Sequence, residues 1–256
     1  MSEPTVGAII LATADTGFGD PAGPGSRPSS LVDVAGEPLA RRVVRAVREA
    51  TSIGPVVVVC DPGATDKLGA DQELPSGGAL AEDMLAALTA VRGCDHAVIV
   101  PGDVAFVTGA EIDAFVAAVL ARGVQTAYPM VPRGVCEAAF PGIRRTYFRL
   151  AEGELTGANA LYVHVPTFLG NPLIIGQAVE LRREPWRLAM MVDPRVLFAY
   201  AAGHLSLGTI EAAAGKALGI RLGVLVLEAP GLATDIQKPI DLRAARERLG
   251  AGGPTA

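Results

Sequence analysis

The chain has 256 residues, of which 50% are hydrophobic and 19% charged, so it can bury a full core in one large domain or two small ones. A net charge of −5 without any lysine- or arginine-rich block excludes a sequence-independent grip on nucleic acid and leaves free nucleotides as partners. No apolar stretch reaches the roughly 18 residues of a membrane span, and three scattered cysteines favour a reducing cytoplasm over a disulfide framework.

Apolar runs rich in β-branched residues predict four strands in the first half, over residues 6–11, 56–60, 97–100 and 126–130. Segments with helical periodicity follow, over residues 38–50, 79–91 and 110–122. Thr108 is placed to cap the third helix, with Glu111 as its capping-box partner. The alternation predicts an α/β fold whose mostly parallel sheet is covered by helices on both faces.

The pattern changes after residue 132. Residues 145–151 alternate, residues 152–154 form a turn, and residues 160–165 make another strand, which together predict a small antiparallel insertion. Helical spacing then dominates residues 167–218, before a strand over residues 221–227 and a helix over residues 239–249.

A Gly-, Pro- and Ser-rich segment without periodicity, residues 16–30, lies between the first strand and the first helix. Segments of this kind inside an α/β unit are usually functional or disordered. Its position is the carboxyl edge of the sheet, where open α/β folds bind ligands.

Two aspartates are expected at the same edge. Pro101 and Gly102 end a buried strand and turn the chain so that Asp103 faces outward, either as a magnesium ligand or as the cap of the next turn. Asp235 follows a later strand and is a better ligand candidate than Asp241, which suits the first turn of a helix. His96, His164 and His204 share no spacing with a Ser or Cys, so we expect them to be surface or partly packed residues.

Five motifs occur in an order that resembles the MobA-like nucleotidyltransferases, also called the NTP-transferase family. They are Ile9-Ile10-Leu11-Ala12 with the glycine-rich loop, the stretch LVDVAGEPL over residues 31–39, Pro101-Gly102-Asp103, Thr156-Gly157-Ala158-Asn159, and the stretch DIQKP over residues 235–239. The resemblance covers nearly the whole chain. It implies a GT-A-like, Rossmann-like three-layer α/β/α domain over residues 1–256, with a nucleotide-binding half, 1–131, and an acceptor-binding half, 132–256.

The resemblance also assigns roles to residues. Arg27 and Asp103 would be catalytic, and Asp103 and Asp235 would hold Mg²⁺. Nucleotide contacts would come from Leu11, Ala12, Thr13, Ala14, Ser29, Ser76, Gly77, Gly78 and Gly102. Acceptor contacts would come from Arg145, Gly157, Asn159 and Arg183.

The implied reaction is magnesium-dependent transfer of an NMP group from an NTP to a small phosphorylated metabolite, with release of pyrophosphate. Its expected setting is the cytoplasm, without nucleic acid or membrane, and a homodimer stays open. Several positions depart from the family pattern: Ser29 stands where a lysine is usual, Gln237 replaces the second Asp of the late motif, and the first loop lacks its Gly-Gly pair. A member that binds nucleotide or a protein without turnover is therefore the alternative, and a GT-A glycosyltransferase is less favoured because no mid-chain DxD motif occurs.

Overall fold

The computed structural model describes residues 4–13, 28–61, 68–183, 199–200, 204–236 and 238–250, with the backbone alone over 178–183. Eleven strands are present in this part of the chain. Their bounds are β1 Val6–Ala12, β2 Asp33–Val34, β3 Glu37–Pro38, β4 Val56–Cys60, β5 Gln72–Pro75, β6 His96–Pro101, β7 Thr126–Pro132, β8 Phe148–Leu150, β9 Gly153–Gly157, β10 Leu161–His164 and β11 Leu222–Val226.

Nine of these strands form one sheet in the order β5-β4-β1-β6-β10-β7-β9-β8, with β11 also paired to β7. Strands β5, β4, β1 and β6 are parallel, and β11 is parallel to β7. Strand β10 lies between β6 and β7 and is antiparallel to both. The predicted mixed, mostly parallel sheet is confirmed, and β2 and β3 form a separate ribbon.

The helices are α1 Leu39–Glu49, α2 Leu80–Ala90, α3 Gly109–Arg122, α4 Arg133–Ala139, α5 Val165–Gly170, α6 Pro172–Arg183, α7 Leu207–Leu218 and α8 Pro239–Gly250. All seven residues of β1 are buried, because both faces of the sheet are covered. Ile10 packs with side chains of α1 and α3, whereas Ile9 packs with those of α2, α5 and α6. The three-layer α/β/α prediction is therefore confirmed. No helix in the described ranges is long and apolar enough to cross a membrane.

The predicted start of α3 is also confirmed. The Glu111 backbone N–H donates to the Thr108 hydroxyl at 3.3 Å, and the Thr108 backbone N–H donates to the Glu111 carboxylate at 3.0 Å. At the other end, Gly123 adopts a left-handed φ of 62°, which ends the helix.

The predicted antiparallel insertion is present as the hairpin of β8 and β9, with bounds that differ from the prediction. The hairpin of β8 and β9 turns at residues 151–152, and Gly153, with a φ of 125°, already begins β9. The first hairpin strand begins at Phe148 instead of residue 145. The strand expected over residues 160–165 is present as β10, which lies between β6 and β7, and the hairpin joins the same sheet through the pairing of β9 with β7.

Candidate active site

The carboxyl end of β6 lies directly beside the carboxyl end of β1. The Gly102 backbone N–H donates to the Leu11 carbonyl oxygen at 2.8 Å. A Cβ at Gly102 would lie 2.9 Å from the Ser30 Cβ and 3.2 Å from the Ala12 Cβ. Glycine is therefore required here because the chain that leaves the glycine-rich segment lies directly against the end of β6.

That contact brings Ser29 to Asp103. The two side chains are 4% and 1% exposed, and the Ser29 hydroxyl donates to the Asp103 carboxylate at 2.8 Å. A buried carboxylate needs such a donor, because the loss of its hydration costs several kcal/mol when no hydrogen bond replaces the water. Serine at the position where the resemblance expects lysine thus gives Asp103 a neutral donor.

The second predicted acid lies beside the first. The Ile236 backbone N–H donates to the Asp103 carbonyl oxygen at 3.1 Å, so the segments that carry Asp103 and Asp235 are in contact. The Arg145 guanidinium donates to the Asp235 carboxylate at 3.0 Å, and these side chains are 11% and 5% exposed. The resemblance assigned Arg145 to an acceptor, whereas in the structure it forms an ion pair with a predicted metal ligand.

Glu111 holds the loop that carries Asp235. Its carboxylate accepts from the Gly231 backbone N–H at 2.7 Å, in addition to the cap that it forms with Thr108. A Cβ at Gly231 would collide with the Phe106 carbonyl oxygen and with Glu111. Burial raises the pKa of Glu111, and the hydrogen bonds from Gly231 and Thr108 oppose that shift. The sequence predicts Glu111 only as a capping residue, because no local pattern indicates its contact with a loop 120 residues away.

The turn after β9 approaches the same loop. The Asn159 backbone N–H donates to the Leu232 carbonyl oxygen at 2.8 Å. The Asn159 Nδ2 atom is buried and has no hydrogen-bond partner among the described residues. Gly157 leaves room for Tyr128, because a Cβ there would fall on the Tyr128 hydroxyl. Asn159 thus lies beside the loop that leads to Asp235, and the acceptor contacts predicted for Gly157 and Asn159 stay predictions.

The predicted base-contacting loop is rigidly held at the end of β5. The Asp83 carboxylate accepts from the Ser76 hydroxyl at 2.6 Å and from the Gly77 backbone N–H at 2.7 Å. Gly78 has a φ of 89°, which favours glycine. Because β4 and β1 separate β5 from β6, this loop is about 14 Å from the end of β6, at a strand spacing of about 4.8 Å.

The remaining predicted residues divide into two groups. Leu11 and Ala12 are buried in the core within β1, and Thr13 is buried just after it, so the first two would reach a ligand only through their backbone. Ala14, Arg27 and Gln237, as well as the side chain of Arg183, lie outside the described residues.

The acids suit magnesium by their chemistry. Asp103, Asp235 and the Ser29 hydroxyl offer only oxygen atoms, and Mg²⁺ commonly takes one or two carboxylates together with substrate phosphates and water. Within the described ranges no group of three or more His, Cys, Asp or Glu residues could hold a metal ion by itself. A site completed by the phosphates of a nucleotide fits this donor set.

Comparisons with known proteins concern the family and the fold of the chain. The family model of the MobA-like NTP transferase domain matches residues 21–184. A hypothetical transferase from Thermus thermophilus is 29% identical, with a TM-score of 0.74 over 93% of this chain and 100% of that chain. No curated protein sequence matches the chain.

Two more distant solved structures share the fold. CMP:2-keto-3-deoxy-manno-octonic acid synthetase in complex with CTP is 14% identical, with a TM-score of 0.63 over 96% of this chain and 99% of that one. The 2-C-methyl-D-erythritol 4-phosphate cytidylyltransferase of Thermus thermophilus is 16% identical, with a TM-score of 0.53 over 94% of this chain and 98% of that one.

Proposed function

The chain belongs to the MobA-like NTP transferase domain family, whose chemistry is nucleotidyl transfer, and we propose that it transfers an NMP group from an NTP to a small phosphorylated acceptor with the help of Mg²⁺. The observation that carries this proposal is the contact between the Asp103 and Asp235 segments at the carboxyl edge of the sheet. Two buried acids on segments that contact each other, one of them bonded to Ser29 at the end of the glycine-rich segment, favour a cation that carries phosphate groups.

The reaction requires positioning more than covalent chemistry. An acceptor oxygen attacks the α-phosphorus in line, the bond to the β-phosphate breaks, and pyrophosphate leaves. Magnesium, when bound, supplies Lewis-acid polarisation and a template for the α-phosphate. Asp103 and Asp235 would hold the cation, and Ser29 would keep the Asp103 carboxylate oriented through its 2.8 Å hydrogen bond.

The other roles stay as the family resemblance implies them. Arg27 would stabilise charge on the leaving pyrophosphate, Ser76, Gly77 and Gly78 would contact the base, and Gly157 and Asn159 would contact the acceptor. The rigid hold of Asp83 on Ser76 and Gly77 supports the base-contacting role, because a preformed loop loses less entropy on binding. CTP is the first NTP to test, because one of the two distant structures is in complex with CTP and the other is a cytidylyltransferase.

A member that binds nucleotide without turnover is the second candidate. It is favoured by Ser29, which stands where the family usually has a lysine. The Ser29 hydroxyl donates to Asp103 and offers no positive charge to the phosphates. A guanidinium from Arg27 would replace the lysine only in part, because the two cations bind phosphate with different geometries.

Pyrophosphate release distinguishes the candidates. CTP, ATP, GTP and UTP are each incubated with Mg²⁺ and pooled sugar phosphates and cofactor precursors, with wild type, Asp103→Asn and Asp95→Asn. Asp95 lies just before the other end of β6, where it accepts hydrogen bonds from Thr5, so it is the matched control. We expect Asp103→Asn to lose roughly 100-fold or more in rate, the scale on which one preorganised electrostatic group acts. Unchanged release in Asp103→Asn contradicts the proposed site, and NTP binding without release in any pool favours the second candidate.

A further inference from the structure

The two acids of the candidate site, Asp103 and Asp235, have side-chain partners of different charge. Asp103 accepts a hydrogen bond from the neutral Ser29 hydroxyl, and Asp235 is paired with the positive charge of Arg145 at 3.0 Å. Both members of this pair are mostly buried, with 11% and 5% of their side chains exposed. A divalent cation at Asp235 would therefore have to compete with the guanidinium for the same carboxylate.

The guanidinium is only partly satisfied. Its Nη1 atom donates to Asp235, but its Nε atom is buried and has no hydrogen-bond partner among the described residues. Arginine carries five N–H donors in a planar fork, and phosphate groups typically take two of them at once. The buried Nε edge thus points to an acceptor anion.

We propose that Asp235 exchanges Arg145 for the divalent cation, and that the released guanidinium binds the phosphate of the acceptor. A buried guanidinium that has lost its carboxylate is costly until another anion compensates its charge. Cation binding and anion binding therefore favour each other, and by thermodynamic linkage the coupling is the same in both directions. This inference rests on the proposed function, since it takes Asp103 and Asp235 as the cation ligands.

The direct test is a titration with Mn²⁺ in place of Mg²⁺, followed by EPR, with and without sulfate as the phosphate surrogate at constant ionic strength. In the wild type we expect sulfate to lower the Kd for Mn²⁺ at least about 5-fold, the lower end of the usual range for coupling between two sites. Arg145→Gln should bind Mn²⁺ more tightly than wild type without sulfate and should not respond to sulfate. Arg144→Gln removes an exposed neighbouring charge and should behave as wild type.

Two further variants, Arg145→Lys and Asp103→Asn, distinguish a failure of the exchange from a failure of the proposed function. Arg145→Lys retains the charge without the fork, so it should fold as wild type and show a weaker response to sulfate. If Asp103→Asn abolishes Mn²⁺ binding but sulfate has no effect on wild type, or the same effect on Arg145→Gln, the exchange is overturned and the cation site stands. If Asp103→Asn binds Mn²⁺ as wild type does, the proposed cation site itself fails, and the exchange fails with it.

Discussion

The two ends of strand β6 both carry buried polar groups, but they are built in opposite ways. At its start, His96 stacks on Tyr162 at 5.0 Å between ring centroids and lies 5.1 Å from the His164 ring. These residues are neighbours across one antiparallel ladder, in which His164 pairs with His96. Beyond its other end, Asp103 contacts Ser29 and Ile236, which come from two distant parts of the chain.

The difference concerns how charge is treated. At the amino end, the His96 Nδ1 atom and the Tyr162 hydroxyl are buried without hydrogen-bond partners among the described residues, and rings surround them. At the carboxyl end, the carboxylates of Asp103 and Asp235 each accept from a positioned side chain. A neutral group buried among rings without a hydrogen bond costs less than a buried carboxylate, which requires a specific donor.

The largest expected effect comes from Asp235→Asn. This change leaves the mostly buried Arg145 guanidinium without its carboxylate, and breaking such a pair typically costs about 3–5 kcal/mol. We expect a loss near the lower end of that range in the free energy of unfolding, measured by urea titration. Asp95→Asn is the control at the amino end and should lose clearly less, because its contacts with Thr5 are exposed. Equal losses in the two variants would contradict the contrast between the ends.

Glu111→Ala is expected to act on both stability and activity. The change removes the cap contact of α3 and the 2.7 Å hydrogen bond that fixes the Asp235 loop, and two such contacts are worth about 2 kcal/mol together. Thr108→Ala removes the cap alone, so it should cost about 1 kcal/mol and leave the rate of pyrophosphate release unchanged. If both variants lose activity equally, the loop contact of Glu111 has no role in positioning.

Tyr162→Phe should stabilise the protein. Burial raises the pKa of the Tyr162 hydroxyl, and the negative charge of Asp95 adds to this shift. Removing a buried hydroxyl without a partner in the described structure should raise the free energy of unfolding by about 1 kcal/mol, as urea titration would measure. A loss of stability would show that the hydroxyl is satisfied in solution.

The smallest effect concerns pH. Burial lowers the pKa of His96, the neighbouring His164 lowers it further, and Asp95 opposes both. The unfolded chain therefore binds this proton first, so the contribution of His96 to stability is complete above the unfolded pKa of about 6.5 and is lost as the pH falls through the lower folded value.

The measurement is the difference in unfolding free energy between wild type and His96→Gln from pH 8 to pH 5. We expect this difference to shift against the wild type as the pH falls. The two proteins are compared because Glu111 affects both of them equally. Its raised pKa gives the unfolding free energy the opposite pH dependence, with stability lost as the pH rises. A difference that is constant with pH would contradict the partial burial of the His96 ring.

Local patterns predicted much of the fold. The apolar runs of β1 and β6 and the capping box of α3 agree with the structure to within a residue or two, because each depends on neighbours along the chain. Strand β5 escaped prediction because this edge strand is mostly exposed and lacks alternation. The pattern of β10 identifies a strand but not its place between β6 and β7, since partner choice is set by the whole sheet.

The sequence predicted where in the fold the candidate site lies, but not which side chains contact each other there. The ends of parallel strands meet at one edge, and this rule alone brings Asp103 close to the glycine-rich segment. The hydrogen bond of Ser29 to Asp103 spans 74 residues, and the ion pair of Arg145 with Asp235 spans 90. Neither partner leaves a periodic or local signal, so both contacts required the folded chain.

In the proposed site, Asp103 and Asp235 share one divalent cation at the carboxyl edge of the sheet. A crystal soaked with CTP and Mn²⁺ tests it directly, because the anomalous signal of manganese locates the ion. We predict one peak within about 2.1 Å of oxygen atoms from both carboxylates, the distance typical of small divalent cations. A manganese ion bound by the nucleotide phosphates alone, or away from Asp103, would contradict the account.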